Sequence, residues 1–114
     1  MTTMNDALAL APSSLVKDLP RLYAQDGKGM NATVFLHIFG AIGDFYVTEI
    51  DEEGEIAFGY TKLAAHPDGA ELGYIAVGEL QTLLNERFIE GKDLKFLLER
   101  DLFWEPKPLK EVIQ

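Results

Sequence analysis

Cysteine is absent from the 114 residues, which removes disulfides, thiolate metal ligands and a thiol nucleophile. Serine is nearly absent too. Ser13 and Ser14 are the only two, and neither sits on the sharp strand-to-helix turn that activates a serine nucleophile. No apolar run approaches the roughly 20 residues needed to span a bilayer. Met1 to Pro12 resembles a secretory leader in its Ala-Leu-Ala-Leu-Ala run. However, no base precedes that run, Asn5 and Asp6 lie close by, and it is too short. Residues 1–12 therefore read as a loose N-terminal tail and 13–114 as one globular domain, in a cytoplasmic setting.

Positive charge is scarce as well: 10 Lys and Arg stand against 19 Asp and Glu, a net charge of −9. The excess is localised, because residues 44–79 hold nine acids and the single base Lys62, whereas 1–43 are balanced and 80–114 carry −1. Such a surface repels phosphate backbones, so direct nucleic-acid binding is not expected, nor is membrane attachment. Acids on strands and turns serve solubility, or they form a patch for a basic protein partner.

With 47% hydrophobic and 25% charged residues the chain is ordinary globular material. Ser13 or Ser14 can cap a short helix carrying Leu15, Val16 and Leu19, closed by Pro20. Asp26-Gly27-Lys28-Gly29 is a turn without phosphate-loop spacing. The near-continuous apolar run 33–39 predicts a covered strand, Gly40 and Gly43 bracket a tight connection, and the aromatic and β-branched run 44–50 predicts a second strand. A turn at 51–54 leads into a third strand at 55–60, 61–70 reads as a loop built on His66-Pro67-Asp68-Gly69, and 71–76 is a fourth strand. From Gly78, the stripe Leu80, Leu83, Leu84 and Phe88 predicts the main helix, ended by Gly91. A fifth strand is expected around 95–101, and a last short helix from Pro108 through Val112. The fold class is α+β: a four- to five-stranded, mainly antiparallel sheet with one main helix on one face and short terminal helices.

Several segments together carry a resemblance: LPRLYAQD (19–26), FYVTE (45–49), FGY (58–60), ELGYIAVGEL (71–80) and ERDLFWEPKPLKEV (99–112). In order and spacing they resemble an uncharacterised bacterial family known as domain of unknown function 2958, from Leu19 to Val112. The resemblance implies occurrence on plasmids and other mobile elements and carries no activity or site residue with it. Where members often have tryptophans in the second strand, this chain has Phe45 and Tyr46. Where members tend to have Ser at the start of the helix, it has Gly78.

Candidate chemistry is sparse. His37 lies between Leu36 and Ile38 and reads as a satisfied, half-buried histidine, while His66 reads as exposed. Asp51, Glu52, Glu53 and Glu55 lack calcium-loop spacing. His66, Asp68 and Glu71 offer a weak mixed ligand set, and no metal or cofactor is expected. Glu49 is the best single acid–base candidate: by period two it shares a face with Phe45 and Val47, with Arg100 or Lys62 as a salt-bridge partner. Tyr23, Tyr46, Tyr60, Tyr74, Phe103 and Trp104 are too many for so small a core, so some can form a docking surface. The leading expectation is a non-enzymatic interaction module binding a basic partner through Glu52, Glu53, Glu55, Tyr60, Tyr74 and Trp104. The alternatives are a small enzyme or ligand-binding domain using Glu49 with His37 or His66, and a DNA mimic that inhibits a host nucleic-acid enzyme.

Overall fold

The computed structural model describes residues 9–86 and 97–113. Its elements in chain order are α1 (Ser13–Val16), a 3-10 turn (Gly29–Asn31), β1 (Thr33–Val34), β2 (Leu36–Phe39), β3 (Gly43–Ile50), β4 (Ala57–Leu63), β5 (His66–Ile75), α2 (Val77–Asn85), β6 (Glu99–Arg100), β7 (Lys107–Pro108) and α3 (Leu109–Val112). The protein is α+β, with a five-stranded sheet in the order β5-β4-β3-β2-β6 and a two-stranded ribbon β1-β7. Every strand pair is antiparallel; short connections require this for β2–β3, β3–β4 and β4–β5, while β1–β7 and β2–β6 join strands distant in sequence. Gly40 and Gly43 close the β2–β3 hairpin by exchanging backbone hydrogen bonds of 3.1 and 3.2 Å.

Alternation along the strands divides the side chains between two layers. On the inner face Leu36, Ile38, Phe45, Val47, Ile50, Ala57 and Ile75 pack with Val16 and Leu19 around α1 and with Val77 and Leu84 of α2. On the outer face Tyr46 and Tyr60 meet Trp104, Val34 of β1 and Leu109 of α3 in a second, smaller cluster. The sheet is thus sandwiched, and the C-terminal segment 97–113 belongs to both sides: β6 pairs with β2, while β7 and α3 cover the outer face.

Several expectations need correction. The stretch 61–70 is an arm of the β4–β5 hairpin, turning at Ala64 and Ala65 with Leu63 opposite His66. The Pro-Asp-Gly turn chemistry shows up as a register irregularity between Thr61 and Leu63, and Pro67 is tolerated because β5 is an edge strand. The exposed Pro67, Asp68 and Glu71 also blunt that edge against pairing with another chain. Pro12, and neither serine, stands at the N-cap of α1. In α2 the buried stripe runs through Val77 and Leu84 with Leu80 beside them, so Leu83, offset around the helix, is exposed. Leu10 lies within the expected loose tail, yet it is 0% exposed and its N–H donates to the Gln81 carboxamide at 2.8 Å. The core draws on its volume, and the docked chain starts no later than that residue. The fifth strand is limited to Glu99–Arg100 among the described residues; positions 95 and 96, Phe88 and Gly91 lie outside them. The expected short helix after Pro108 is present.

One irregularity decides where the outer face acquires polar groups. Between Val47 and Glu49 the β3–β4 register shifts: Val47 pairs with Gly59, and Glu49 pairs with Phe58. The extra residue, Thr48, is a β-bulge, and everything after it changes face relative to simple alternation. The bulge needs a glycine opposite it, because a Cβ on Gly59 would overlap the Tyr46 backbone carbonyl. Gly59→Ala is expected to lower stability by about 3 kcal/mol through that backbone clash. An unfolding free energy from chemical denaturation within about 0.5 kcal/mol of the parent's would show that the strands yield freely there.

Candidate functional site

Because of the bulge, Glu49 does not join Phe45 and Val47 on the inner face; it sits with Phe58 on the outer one. The cross-strand register then aligns Glu49, Phe58 and Tyr74 in a row across β3, β4 and β5, with Leu72 beside Tyr60. Segment 20–32 arches over this row, leaving a pocket of about 440 Å³ lined by Tyr23, Thr48, Glu49, Phe58, Leu72 and Tyr74 among others. The volume is in the range of small-ligand sites. Phe58 and Tyr74 meet edge to face at 5.4 Å between ring centres.

The arch is fastened by side chains. Buried Gln25 donates to the carbonyls of Thr33 and Thr48 at 2.8 and 2.9 Å and accepts from Thr33 N–H at 2.8 Å. Tyr23 occupies left-handed backbone space, φ 75°, which is uncommon for a non-glycine residue. Its N–H donates to Glu49 Oε1, so the carboxylate helps hold that conformation. The Tyr23 ring is 66% exposed and its hydroxyl meets the Tyr74 hydroxyl at 2.9 Å, a link between the arch and the edge strand. That hydrogen bond raises the Tyr74 phenol above the usual tyrosine value.

Glu49 itself is 4% exposed. Its second oxygen, Oε2, has the Thr48 hydroxyl at 3.3 Å, but the same hydroxyl also lies 3.1 Å from the Phe58 carbonyl and has one proton to give. Neither expected cation is adjacent: Lys62 sits opposite Asp44, and Arg100 opposite Ile38 on the inner side. Among the described residues no ion pair forms with Glu49.

A second polar centre lies further along the outer face. His37 Nδ1 is 3.0 Å from Asp101 Oδ2 and Nε2 is 2.8 Å from Asp44 Oδ1. A carboxylate only accepts, so whichever ring nitrogen carries a proton donates it to an aspartate, and the charged ring donates to both. The imidazole stacks on Tyr46 at 4.6 Å and 4° and packs against Phe39 and Trp104. The Trp104 indole N–H donates to the Val34 carbonyl, and Lys107 Nζ lies 4.7 Å above the ring. The hydrogen bond from His37 lowers the Asp101 carboxyl, with the Phe103 N–H adding to the effect, against partial burial that opposes it. Burial raises the Tyr46 phenol, reinforced by the charges of Asp44 and Asp101. With both ring nitrogens facing carboxylates, His37 holds the layers together and presents no free base to a cleft.

The acidic turn of the β3–β4 hairpin is tied by hydrogen bonds. Asp51 accepts from the N–H groups of Glu55 and Ile56 through its side chain, and its backbone bonds to Ile56 and Gly54. Glu52 and Glu53 project from this frame into solvent, and Glu55 places its carboxylate over Gly78 at the start of α2, where a helix N-terminus favours negative charge. The turn lies at the same end of the hairpin as the Glu49–Phe58 pair.

The structure therefore brings Glu49 into a pocket with Tyr74 but with neither histidine, since His37 is bound by its aspartates and His66 is exposed at the hairpin turn. Of the three aromatic docking candidates, Tyr74 stands open at 60% exposure. Tyr60 and Trp104 are half-buried and pack into the second cluster. Tyr23 and Phe103 are also open. His66, Asp68 and Glu71 do not converge, and among the described residues no group of three His, Cys, Asp or Glu is placed to hold a metal. Asp44, Asp101, Gln25 and Thr48 had not stood out in the sequence; the hairpin bracketed by Gly40 and Gly43 does carry Asp44 back beside His37, a register signal that could have found it. No protein-family model matches the chain, and no curated protein or solved structure matches it either.

Asp101→Asn is expected to cost roughly 1.5 kcal/mol at neutral pH, the scale of a charge-assisted hydrogen bond. The Asp101 carboxyl titrates lower in the folded protein, so its contribution is complete above the unfolded value, about 3.9, and disappears as pH falls through the lowered folded value. Denaturation of parent and variant at pH 7 and pH 3 tests this: the gap should narrow in acid, and a gap that is constant with pH would contradict it.

Proposed function

We propose that the protein is a non-enzymatic interaction module of the cytoplasm that docks a basic protein partner on the surface formed by the β3–β4 turn and the adjoining outer face. The observation that carries this reading is the presentation of Glu52 and Glu53 by a turn whose backbone is already tied by Asp51. A backbone already tied loses little freedom on binding, and complementary potential accelerates encounter. Among the nine acids of 44–79, four have local duties: Asp44 at His37, Glu49 in the pocket, Asp51 in its turn and Glu55 over α2. The rest divide among the β3–β4 turn, the β5 edge and the first turn of α2, which favours local docking over an extended imitation of phosphates.

A peptide library selected on the immobilised protein should enrich Lys- and Arg-containing sequences whose affinity falls with salt. The double variant Glu52→Lys, Glu53→Lys should weaken them about tenfold or more. Selected peptides lacking bases, or unaffected by the double reversal, would refute the docking surface.

A further inference from the structure

We propose that the Glu49 pocket is a socket for the ammonium head of a lysine side chain; the inference rests on the docking reading, with the lysine belonging to the basic partner. Glu49 supplies the charge: it is 96% buried, so its carboxylate has lost most of its water, and no cation of the described chain replaces it. Oε1 is engaged by the Tyr23 N–H. Oε2 competes with the Phe58 carbonyl for one hydroxyl proton, so it is the less satisfied of the two oxygens, and Glu49 lines a pocket of about 440 Å³. Around it stand the rings of Tyr23, Phe58 and Tyr74, with Asp26 also in the lining. Aromatic faces attract a cation, and a methylene stem packs on rings and on Leu72. A buried carboxylate, three aromatic residues and a second acid in one lining together favour an organic cation over an anion or a neutral apolar group.

The geometry also selects between the two basic side chains. A guanidinium gains most from a fork-to-fork pair that uses both oxygens of a carboxylate, and here Oε1 already accepts the Tyr23 N–H, which leaves it a single lone pair. An ammonium is a compact point charge that needs only the other oxygen, and its remaining protons can meet the Thr48 and tyrosine hydroxyls. The socket is accordingly selective for lysine over arginine.

The test uses three neutral-capped amino acids as probes, Nα-acetyl-lysine methylamide and its arginine and norleucine counterparts, titrated into the ¹⁵N-labelled protein and followed by NMR. The lysine probe should shift the amides of Tyr23, Thr48, Glu49 and Tyr74. The arginine probe should bind about tenfold more weakly, and norleucine should leave these amides unmoved. Glu49→Gln keeps an oxygen to accept from Tyr23 while removing the charge, and should abolish the lysine response. Tyr74→Ala, on an exposed ring, should weaken it several-fold and serves should the buried substitution fail to fold. Equal responses to lysine and arginine, or shifts scattered away from the pocket, would overturn the socket. The two readings separate cleanly. If basic peptides bind in a Glu52- and Glu53-dependent way while the lysine probe leaves the pocket still, the socket is wrong and the docking surface stands. A pocket that takes the probe in a chain that binds no basic peptide supports the socket and refutes the docking.

Discussion

The outer face depends on a single extra residue in β3. Thr48 bulges from the ladder, Gly59 makes room for the distorted backbone opposite, and Glu49 is thereby delivered to the side of the sheet that period two denies it. Had the ladder continued evenly, a carboxylate would lie among Phe45, Val47 and the helices, where its burial would have cost several kcal/mol without a partner. Instead the bulge gives Glu49 an amide donor from Tyr23 and a pocket in front of it. Bulges re-aim side chains beside functional surfaces in many sheets, and this one does so with a backbone contact that only glycine permits.

The second polar centre has a different physical role. His37, Asp44 and Asp101 come from three segments, β2, β3 and the stretch after β6, and the imidazole joins them beneath a stack of aromatic rings. The C-terminal segment is thus attached by hydrogen bonds as well as by Leu109 and Trp104. A polar network satisfied to this degree favours one arrangement of layers, because any slip would separate half-buried donors from their acceptors. The acidic excess of the middle third is accordingly a mixture: some carboxylates are internal fasteners and others face solvent.

Much of the sheet was legible in the sequence because its signals are local. Gly40 and Gly43 mark a hairpin and Pro108 marks the last helix, whereas the apolar run at 33–39, expected as one covered strand, is split at Phe35 into β1 of the ribbon and β2 of the sheet. The length of the β4–β5 hairpin was not legible, since His66-Pro67-Asp68-Gly69 carries turn chemistry that an edge strand can absorb. Nor was the anchoring of Leu10, whose burial is decided by distant residues of α2. The candidate site was half visible. Glu49 and Tyr74 were singled out, but the face of Glu49 was misassigned because a bulge interrupts periodicity without altering composition. Asp101 escaped notice because its partner lies 64 positions away, beyond any spacing rule.

Gln25 has one more consequence. Its carboxamide does what a peptide unit of a neighbouring strand would do, giving two protons to carbonyls and taking one from an amide. The arch over the pocket is therefore moored by side chains and by single backbone bonds at Pro20 and Ala32, with no continuous ladder to set its length. Insertions and deletions between Gln25 and Thr33 can reshape the mouth while the sheet beneath keeps its register.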